Sequence, residues 1–175
     1  MAGISIRSAT AEDAADFADI ERSAAQAFLS VPGLEWLADE APMSARQHQI
    51  YIDDGAVWLA STNGRGIGFL TSTICEDALH IIELSVADGH QGQGVGRRLM
   101  EEAREYATRK GLPALTLTTF RDLPFNELFY HKLGYRTLDA ATLPERLAVI
   151  LRAEIEKGLP GNRRCAMRLT LGKHD

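Results

Sequence analysis

The segment at residues 81–100 constrains the fold more than any other part of the chain. It begins with the apolar residues of a buried strand, passes through a glycine-rich bend and ends as an amphipathic helix. Glycines alternate at positions 92, 94 and 96, directly before or at the start of that helix. The first turn of a helix has backbone N–H groups without partners, and nearby glycines let a phosphate approach them closely. The segment therefore predicts a phosphate-binding loop between a strand and a helix.

The spacing of these glycines excludes two common phosphate-binding motifs. A P-loop requires Gly-x-x-x-x-Gly-Lys followed by Ser or Thr, and the chain contains no such sequence. The dinucleotide-binding motif Gly-x-Gly-x-x-Gly is also excluded, because Arg97 occupies the position of its third glycine. What remains is the pattern Gln91-x-x-Gly94-x-Gly96. This pattern between a strand and a helix resembles the GNAT superfamily of acyl-CoA-dependent N-acetyltransferases, whose corresponding loop binds the pyrophosphate of coenzyme A.

The resemblance implies that acetyl-CoA is the co-substrate and that its binding residues lie along this segment. In the family, the backbone at the end of the strand binds the pantetheine arm as an additional strand would. This binding requires that the strand parts from the next one, which is predicted over residues 114–119. The implied cofactor-binding residues are Leu84, Ser85, Val86, Gln91, Gly92, Gln93, Gly94, Val95, Gly96 and Arg97.

A second segment, residues 126–135, resembles the part of the family in which Asn contacts the cofactor arm and Tyr lies beside its sulfur. The spacing of Asn126 and Tyr130 predicts that both lie on one helix face, one turn apart. The resemblance thus implies that both residues bind the cofactor and that Tyr130 is the catalytic acid for the leaving thiolate. A phenol has a pKa of about 10 and a thiol one of about 8.5. The alternative is that Tyr130 is a packed aromatic side chain beside Phe129.

Glu83 is the candidate catalytic base. A free primary ammonium group has a pKa of about 10, so acetyl transfer to an amine requires a group that removes a proton. Glu83 is a carboxylate within the otherwise apolar strand predicted over residues 78–86, where burial would raise its pKa and make it a better base. Three alternatives stay open at this point: an ion pair with a neighbouring arginine, His80 as the base, or a chain of water molecules.

The order of the predicted elements resembles that of the GNAT family over nearly the whole chain, which implies one GNAT domain over residues 1–175, in the α/β (α+β) class. We expect a central, mixed, mostly antiparallel twisted sheet flanked by helices, with the last helix as an addition to the family's pattern. Thr142 and Glu145 predict the cap of that helix. Strands are predicted at residues 4–7, 56–60, 67–74, 78–86, 114–119, 135–138 and 164–171, and helices at 11–29, 44–52, 95–110, 125–133 and 143–157.

Composition restricts the partners and the compartment. The chain has a formal net charge of −5, which argues against a general nucleic-acid binder, because neutralising phosphates needs clustered Lys and Arg. Cys75 and Cys165 lie far apart and no His-x-x-x-His pair occurs, so no metal site is expected. No apolar run approaches the ~20 residues of a membrane span, and no signal-peptide pattern is present. These observations predict a cytoplasmic protein with reduced thiols and no membrane partner.

Together the two segments predict direct acetyl transfer from acetyl-CoA to a primary amine in a ternary complex, the amine being that of a small molecule or a protein. A non-catalytic acyl-CoA-binding or sensor module on the same fold is the alternative. It would keep the loop but could lose Tyr130 and Glu83, and both are present. Longer acyl groups and a homodimer are compatible with the class, and no motif identifies the acceptor.

Overall fold

The structure is a computed structural model that describes residues 3–172. Its strands are β1 (Ser5–Ser8), β2 (Val57–Thr62), β3 (Arg65–Ile74), β4 (Leu79–Val86), β5 (Ala114–Phe120), β6 (Arg136–Thr137) and β7 (Arg164–Thr170). Its α-helices are α1 (Ala14–Ala25), α2 (Ala45–Asp53), α3 (Val95–Arg109), α4 (Glu127–Lys132) and α5 (Glu145–Glu156). Short 3₁₀ helices cover Ala11–Asp13, Gln26–Ser30, Glu35–Asp39, Ala140–Thr142 and Gly161–Arg163. Among the described residues, no helix is long and apolar enough to cross a membrane.

Within residues 3–172, the strands form a seven-stranded sheet in the order β1-β2-β3-β4-β5-β7-β6. The pairs β1–β2, β2–β3, β5–β7 and β6–β7 are antiparallel. The pair β4–β5 is parallel, with Leu79 opposite Leu115 and His80 opposite Thr116. The predicted mixed sheet flanked by helices is confirmed. The apolar strand β4 lies fourth in the order, which agrees with the central position expected from its composition.

The chain divides into two compact units. Unit 1 comprises Met1–Ile74 and Ile82–Tyr106, and unit 2 comprises Cys75–Ile81 and Ala107–Asp175. In unit 1, an apolar cluster joins α1, α2, β2 and β3, with Phe17 and Phe69 stacked at 4.2 Å between ring centroids. In unit 2, the most deeply buried side chains include those of Leu79, Leu115 and Leu147. The expectation of a single domain stays a prediction.

Local sequence signals account for several of these elements. Asn63 and Gly64 have φ values of 51° and 74°, which is the left-handed pair that a two-residue hairpin between β2 and β3 requires. The predicted inner face of α3 is buried, because its apolar residues recur about once per turn. These residues are Val95, Leu99, Ala103 and Ala107.

Two predicted helices differ from the structure at their ends. The helix predicted over residues 11–29 is α-helical only from Ala14 to Ala25, with 3₁₀ segments on both sides. The predicted cap at Thr142 is wrong, since α5 is preceded by Pro144 as its N-terminal cap. Proline disfavours the helical conformation in the residue before it, and Leu143 is accordingly extended, with ψ at 119°. The helix therefore begins after Pro144.

Candidate functional site

A glycine-rich loop, residues 87–94, joins β4 to α3 and forms the first part of the candidate site. The N–H of Arg98 donates to the carbonyl oxygen of Gly94 at 3.1 Å, at the start of α3. The N–H groups ahead of Arg98 in the first turn have no acceptor within the helix, and the helix dipole makes this end partly positive. No acidic residue lies in that turn. The loop therefore leads into a backbone surface suited to an anion.

Gly92 and Gly94 need to be glycine because of their backbone conformation. Their φ values are 74° and 82°, in the left-handed region that L side chains rarely adopt. Apart from the glycine itself and its two neighbours in the chain, no heavy atom of the described residues lies within 4 Å of the point where a Cβ would stand on either glycine. A side chain there would extend into the open space beside the loop. The loop thus combines an exposed backbone with room for a bulky anionic group.

Two glutamine side chains of the loop form hydrogen bonds to nearby backbone carbonyl groups. The Nε2 group of Gln91 donates to the carbonyl oxygen of Val86 at 3.0 Å, and that of Gln93 donates to the carbonyl oxygen of Gly89 at 3.0 Å. Both side chains therefore bind the backbone next to or within the loop. This arrangement gives the two glutamines a role in holding the loop's shape, while any direct contact with the cofactor stays a prediction.

The remaining residues of the predicted loop site lie at the start of α3. Val95 is buried beneath the loop, and Gly96 is the second residue of the helix. Arg97 and Arg98 are both exposed, and the guanidinium of Arg98 donates to the backbone carbonyl of Ile4 at 2.7 Å. The hydrogen bond to Ile4 occupies Arg98, so Arg97 is the better candidate for a contact with an anion at the loop.

The end of β4 carries the predicted backbone contacts. Leu84 and Val86 are half-buried and Ser85 is buried. A Cβ on Gly68 would lie only 3.0 Å from the carbonyl oxygen of Ser85, so glycine allows this close approach. The binding of a pantetheine arm by Leu84, Ser85 and Val86 stays a prediction.

Glu83 lies half-buried on β4, within a cluster of polar groups in unit 1. Its Oε1 accepts a hydrogen bond from the Oγ of Ser85 at 2.9 Å. One oxygen or nitrogen each of Glu83, Glu21 on α1 and His48 on α2 lies within 4.8 Å of the others. Burial, and then the negative charge of Glu21, raises the pKa of Glu83 to about 8. The partners of Glu83 are thus a hydroxyl and a second carboxylate rather than the arginine of the ion-pair alternative.

His80, the competing candidate base, lies in unit 2 and is buried. Its Nδ1 is 2.9 Å from the Oγ1 of Thr116. Burial, and then the positive charge of Arg146, lowers the pKa of His80 to about 4, so the imidazole is neutral at physiological pH. The Nη2 of Arg146 donates to the same hydroxyl at 3.1 Å. These contacts place His80 in a buried structural network.

Asn126 and Tyr130 lie at the start of α4 in unit 2. The N–H of Tyr130 donates to the carbonyl of Asn126 at 3.1 Å, so the two residues are one turn apart, although Asn126 is the cap residue that precedes the helix. The Nδ2 of Asn126 donates to the Oγ1 of Thr119 at 2.9 Å. Its Oδ1 is buried and has no hydrogen-bond partner in the part of the chain that the structure describes. An unpartnered buried acceptor is expected where a ligand supplies the donor.

The ring of Tyr130 is buried and packs against two aromatic neighbours. Its centroid lies 5.0 Å from that of Phe129 and 5.8 Å from that of Tyr135, both in edge-to-face geometry. Burial raises the pKa of Tyr130 well above the ordinary value of a phenol. The hydroxyl therefore stays protonated, and it suits hydrogen-bond donation better than complete transfer of its proton.

Glu21 and His48 were not among the site residues predicted from the sequence. A signal for each was present, since both are polar residues on otherwise apolar helix faces. Glu21 follows the buried residues Phe17 and Ile20 on α1, and His48 shares the buried face of α2 with Ile52. Such a position marks a residue as unusual, but it does not reveal which other residues it meets.

Comparison with known protein families matches the central part of the chain. The model of the "Acetyltransferase (GNAT) family" matches residues 18–135 of the chain. This range contains the loop, the cluster around Glu83, and both Asn126 and Tyr130. The match covers more than half of the chain, so it does not depend on a single local motif.

Solved structures of N-acetyltransferases share the fold. The PaiA N-acetyltransferase from Thermoplasma acidophilum, in complex with coenzyme A, has a TM-score of 0.69 and 18% identity, over 97% of this chain and 99% of that one. The ribosomal-protein-S18-alanine N-acetyltransferase from Escherichia coli has a TM-score of 0.70 and 17% identity, over 99% and 97%. The N-acetylglutamate synthase from Neisseria gonorrhoeae, with coenzyme A and N-acetyl-glutamate, has a TM-score of 0.73 and 19% identity, over 99% of this chain but 36% of that one. At these identities the likeness shows the fold.

Proposed function

Because the chain belongs to the acetyltransferase (GNAT) family, we propose that it transfers an acetyl group from acetyl-CoA to a primary amine by direct transfer in a ternary complex. The observation that carries the proposal is the loop before α3. There Gly92 and Gly94 are left-handed, and open space lies where their side chains would be. An exposed glycine backbone ahead of the first turn of a 15-residue helix suits a pyrophosphate.

Acetyl-CoA, as donor, would supply the reactive acetyl thioester. The loop from Gln91 to Arg97 would bind its pyrophosphate, chiefly through backbone N–H groups and the exposed guanidinium of Arg97. Leu84, Ser85 and Val86 would bind the pantetheine arm through the backbone of β4. The buried, unpartnered Oδ1 of Asn126 would accept a hydrogen bond from the same arm.

Glu83 is proposed as the base that removes a proton from the acceptor ammonium. Its raised pKa supports this role, because proton transfer is less unfavourable when the pKa values of donor and acceptor lie closer together. The ammonium value is about 10, against about 4.3 for an ordinary glutamate. The amine nitrogen is then neutral and can attack the thioester carbon.

Tyr130 is proposed as the donor to the departing sulfur. Because burial raises the pKa of its phenol, the hydroxyl would act mainly by hydrogen bonding to the developing thiolate. Direct transfer is favoured over a covalent acyl-enzyme by the state of Cys165. Burial, and then the charge of Glu127, raises the pKa of that thiol to about 11, which makes it a poor nucleophile.

The acceptor is proposed to be the amine of a small molecule or of a protein, and the compartment the cytoplasm. The comparison structures include one named for an alanine of a ribosomal protein and one named for glutamate, so the fold admits both kinds of acceptor. We propose no nucleic-acid or membrane partner and no metal requirement. The rival function is a non-catalytic acyl-CoA-binding or sensor module, which would bind the cofactor without turnover.

A matched pair of variants tests the cofactor site. Gly94→Glu introduces bulk and negative charge into the loop and should abolish acetyl-CoA binding in calorimetry. Gly55→Glu is the control, because Gly55 has a similar φ of 85°, equally open surroundings and a place outside the loop. Retained binding by the Gly94 variant would refute the loop assignment.

Turnover is measured by thiol release from acetyl-CoA across a panel of amines. Release with at least one amine would support the transferase. Cofactor binding without release for any amine, including amino acids, diamines and peptides, would favour the binding module instead.

A further inference from the structure

Three titratable side chains from three elements of unit 1 meet at one place. Glu83 extends from β4, Glu21 from α1 and His48 from α2, with one ligand-type atom of each within 4.8 Å of the others. We call these three residues the Glu83 cluster. Only Glu83 has a role in the transfer proposed above, so the other two side chains require an explanation.

Glu21 is held in position by backbone hydrogen bonds. The backbone N–H of Met43 donates to its Oε2 at 3.1 Å and to its Oε1 at 3.4 Å. These two hydrogen bonds hold the Glu21 carboxyl group in place beside Glu83.

His48 is unusual because it is completely buried without a hydrogen bond. Its exposed fraction is 0%, and neither ring nitrogen has a partner among residues 3–172. Phe17 and Phe69 hold the ring edge-to-face, at 5.0 and 5.3 Å between centroids. Its Nε2 points to the Oε2 of Glu21 at 3.8 Å, just beyond hydrogen-bond distance. A buried polar group costs free energy unless a partner compensates it, and Glu21 is the partner within reach.

We propose that Glu21 and His48 are positioning residues that make Glu83 a stronger base toward the acceptor amine. Glu21 supplies a fixed negative charge next to Glu83, and His48 keeps the Glu21 carboxylate turned inward. The inference rests on the proposed acetyl transfer to an amine, and it adds two residues that the cofactor loop and Tyr130 do not require.

The chemistry follows from charge repulsion. A carboxylate beside Glu83 opposes a second negative charge, so Glu83 holds a proton more tightly than a lone glutamate would. The groups that face it are Glu21 from α1, His48 from α2 and the Ser85 hydroxyl from β4. Glu83 first releases its resting proton to solvent. An N–H bond of the bound ammonium then breaks, an O–H bond forms on Glu83, and the freed electron pair on nitrogen attacks the thioester carbon. The C–S bond then breaks, coenzyme A leaves as the thiolate, and the second proton of the attacking nitrogen passes to that sulfur.

The pH dependence of kcat/KM separates this role from a packing role. In Glu21→Gln, we expect the acidic limb of the profile to move to lower pH by at least about one unit, because the repelling charge is gone. The plateau should also fall, since Glu83 becomes a weaker base. Asp16→Asn, which removes an exposed carboxylate from the same helix, should leave the profile unchanged. A packing role for Glu21 would lower the rate at every pH with the limb in place, and that result would overturn the proposal.

A measurement without substrate keeps this inference separate from the proposed function. Difference infrared spectroscopy, with EDTA present to keep cations off the carboxylates, follows the protonated carboxyl band of the free protein against pH. The band that disappears in Glu83→Gln is assigned to Glu83. In Glu21→Gln, the pH at which half of this band is lost should be lower than in the wild type. If no amine is acetylated but this shift occurs, the proposed acetyl transfer is refuted, while the proposed effect of Glu21 on the proton of Glu83 is supported. An unchanged midpoint refutes the cluster whether or not acetyl transfer occurs.

Two variants of His48 test its part. His48→Phe fills the space between the two phenylalanine rings but places no ring nitrogen opposite Glu21, so the midpoint should move in the same direction as in Glu21→Gln. His48→Gln keeps a polar side chain opposite Glu21 and should stay close to the wild-type midpoint. Circular dichroism shows that each variant is folded before it is compared. Equal midpoints for His48→Phe and wild type would remove His48 from the proposal.

Discussion

The buried proton on Glu83 predicts a stability that depends on pH, and Glu83→Gln tests it. The pKa of Glu83 is about 8 in the folded protein, against 4.5 as the ordinary value. Between these values the folded state binds one more proton than the unfolded state. The free energy of unfolding therefore falls as pH rises, by up to about 1.4 kcal/mol per pH unit. The contribution is fully present below pH 4.5 and is lost as pH rises through 8.

From pH 6 to pH 7.5, the wild type should thus lose up to about 2 kcal/mol relative to Glu83→Gln, whose side chain does not titrate. Other titrating groups are common to both proteins and cancel in the difference. Urea unfolding at several pH values from 5 to 8 provides the difference, and Glu12→Gln, at an exposed position, is the control. If the difference in unfolding free energy between the two proteins stays constant over this range, or changes in the opposite direction, Glu83 does not hold a proton in the folded protein. The proposal that its pKa is raised for its role as a base would then be refuted.

Three further predictions concern other residues of the chain. Tyr130→Phe should lower turnover by about 10-fold or more with nearly unchanged acetyl-CoA affinity in calorimetry, because it removes one aimed hydrogen bond. His80→Asn should make stability less sensitive to acid. Since burial lowers the folded pKa of His80 to about 4, the wild type loses stability as pH falls from 6.5 toward that value, as urea unfolding at pH 7 and 4.5 would measure. Glu154→Gln should destabilise the protein by about 2–4 kcal/mol in urea unfolding, because it leaves the little-exposed guanidinium of Arg164, 2.8 Å away, without its counter-charge.

Each of these variants has a control and an outcome that contradicts it. Tyr51→Phe removes another phenol hydroxyl, and equal turnover of the Tyr130 variant and wild type would exclude Tyr130 from the reaction. His90→Asn is the control for the measurement at acidic pH. If His80→Asn loses as much stability between pH 7 and pH 4.5 as the wild type does, the prediction for His80 is refuted. Glu156→Gln changes an exposed acid on the same helix as Glu154, and equal losses for both would deny the buried pair any special contribution.

The sequence alone was sufficient for the loop and its flanking elements, because the signals there are local. Gly92 and Gly94 specify left-handed backbone, and the apolar spacing from Val95 specifies which face of α3 is buried. The hairpin at Asn63 and Gly64 follows from the same kind of signal. In each case the determining residues lie within one or two turns of the feature they determine.

Local signals failed where two of them competed. The pair Thr142 and Glu145 has the spacing of a helix cap, but Pro144 between them restricts its neighbour and becomes the cap residue itself. In the same way, Asn126 and Tyr130 have helical spacing, yet Asn126 precedes the helix, and its side chain bonds to Thr119. The steric restriction imposed by proline explains where α5 begins, and the side chain of Asn126 is occupied by a contact that its spacing in the sequence does not reveal.

The tertiary structure alone decided the environment of the proposed catalytic groups. Glu83 was visible as a carboxylate in an apolar strand, but its neighbours Glu21 and His48 come from distant parts of the chain, and only folding brings them within 4.8 Å of one another. Tyr130 was visible as a phenol, but its burial, and hence its raised pKa, depends on how the rings around it pack. Burial and the distance between charges determine a pKa, and both are properties of the packed molecule. The sequence therefore identified the chemical groups, and the fold decides how strongly each one holds its proton.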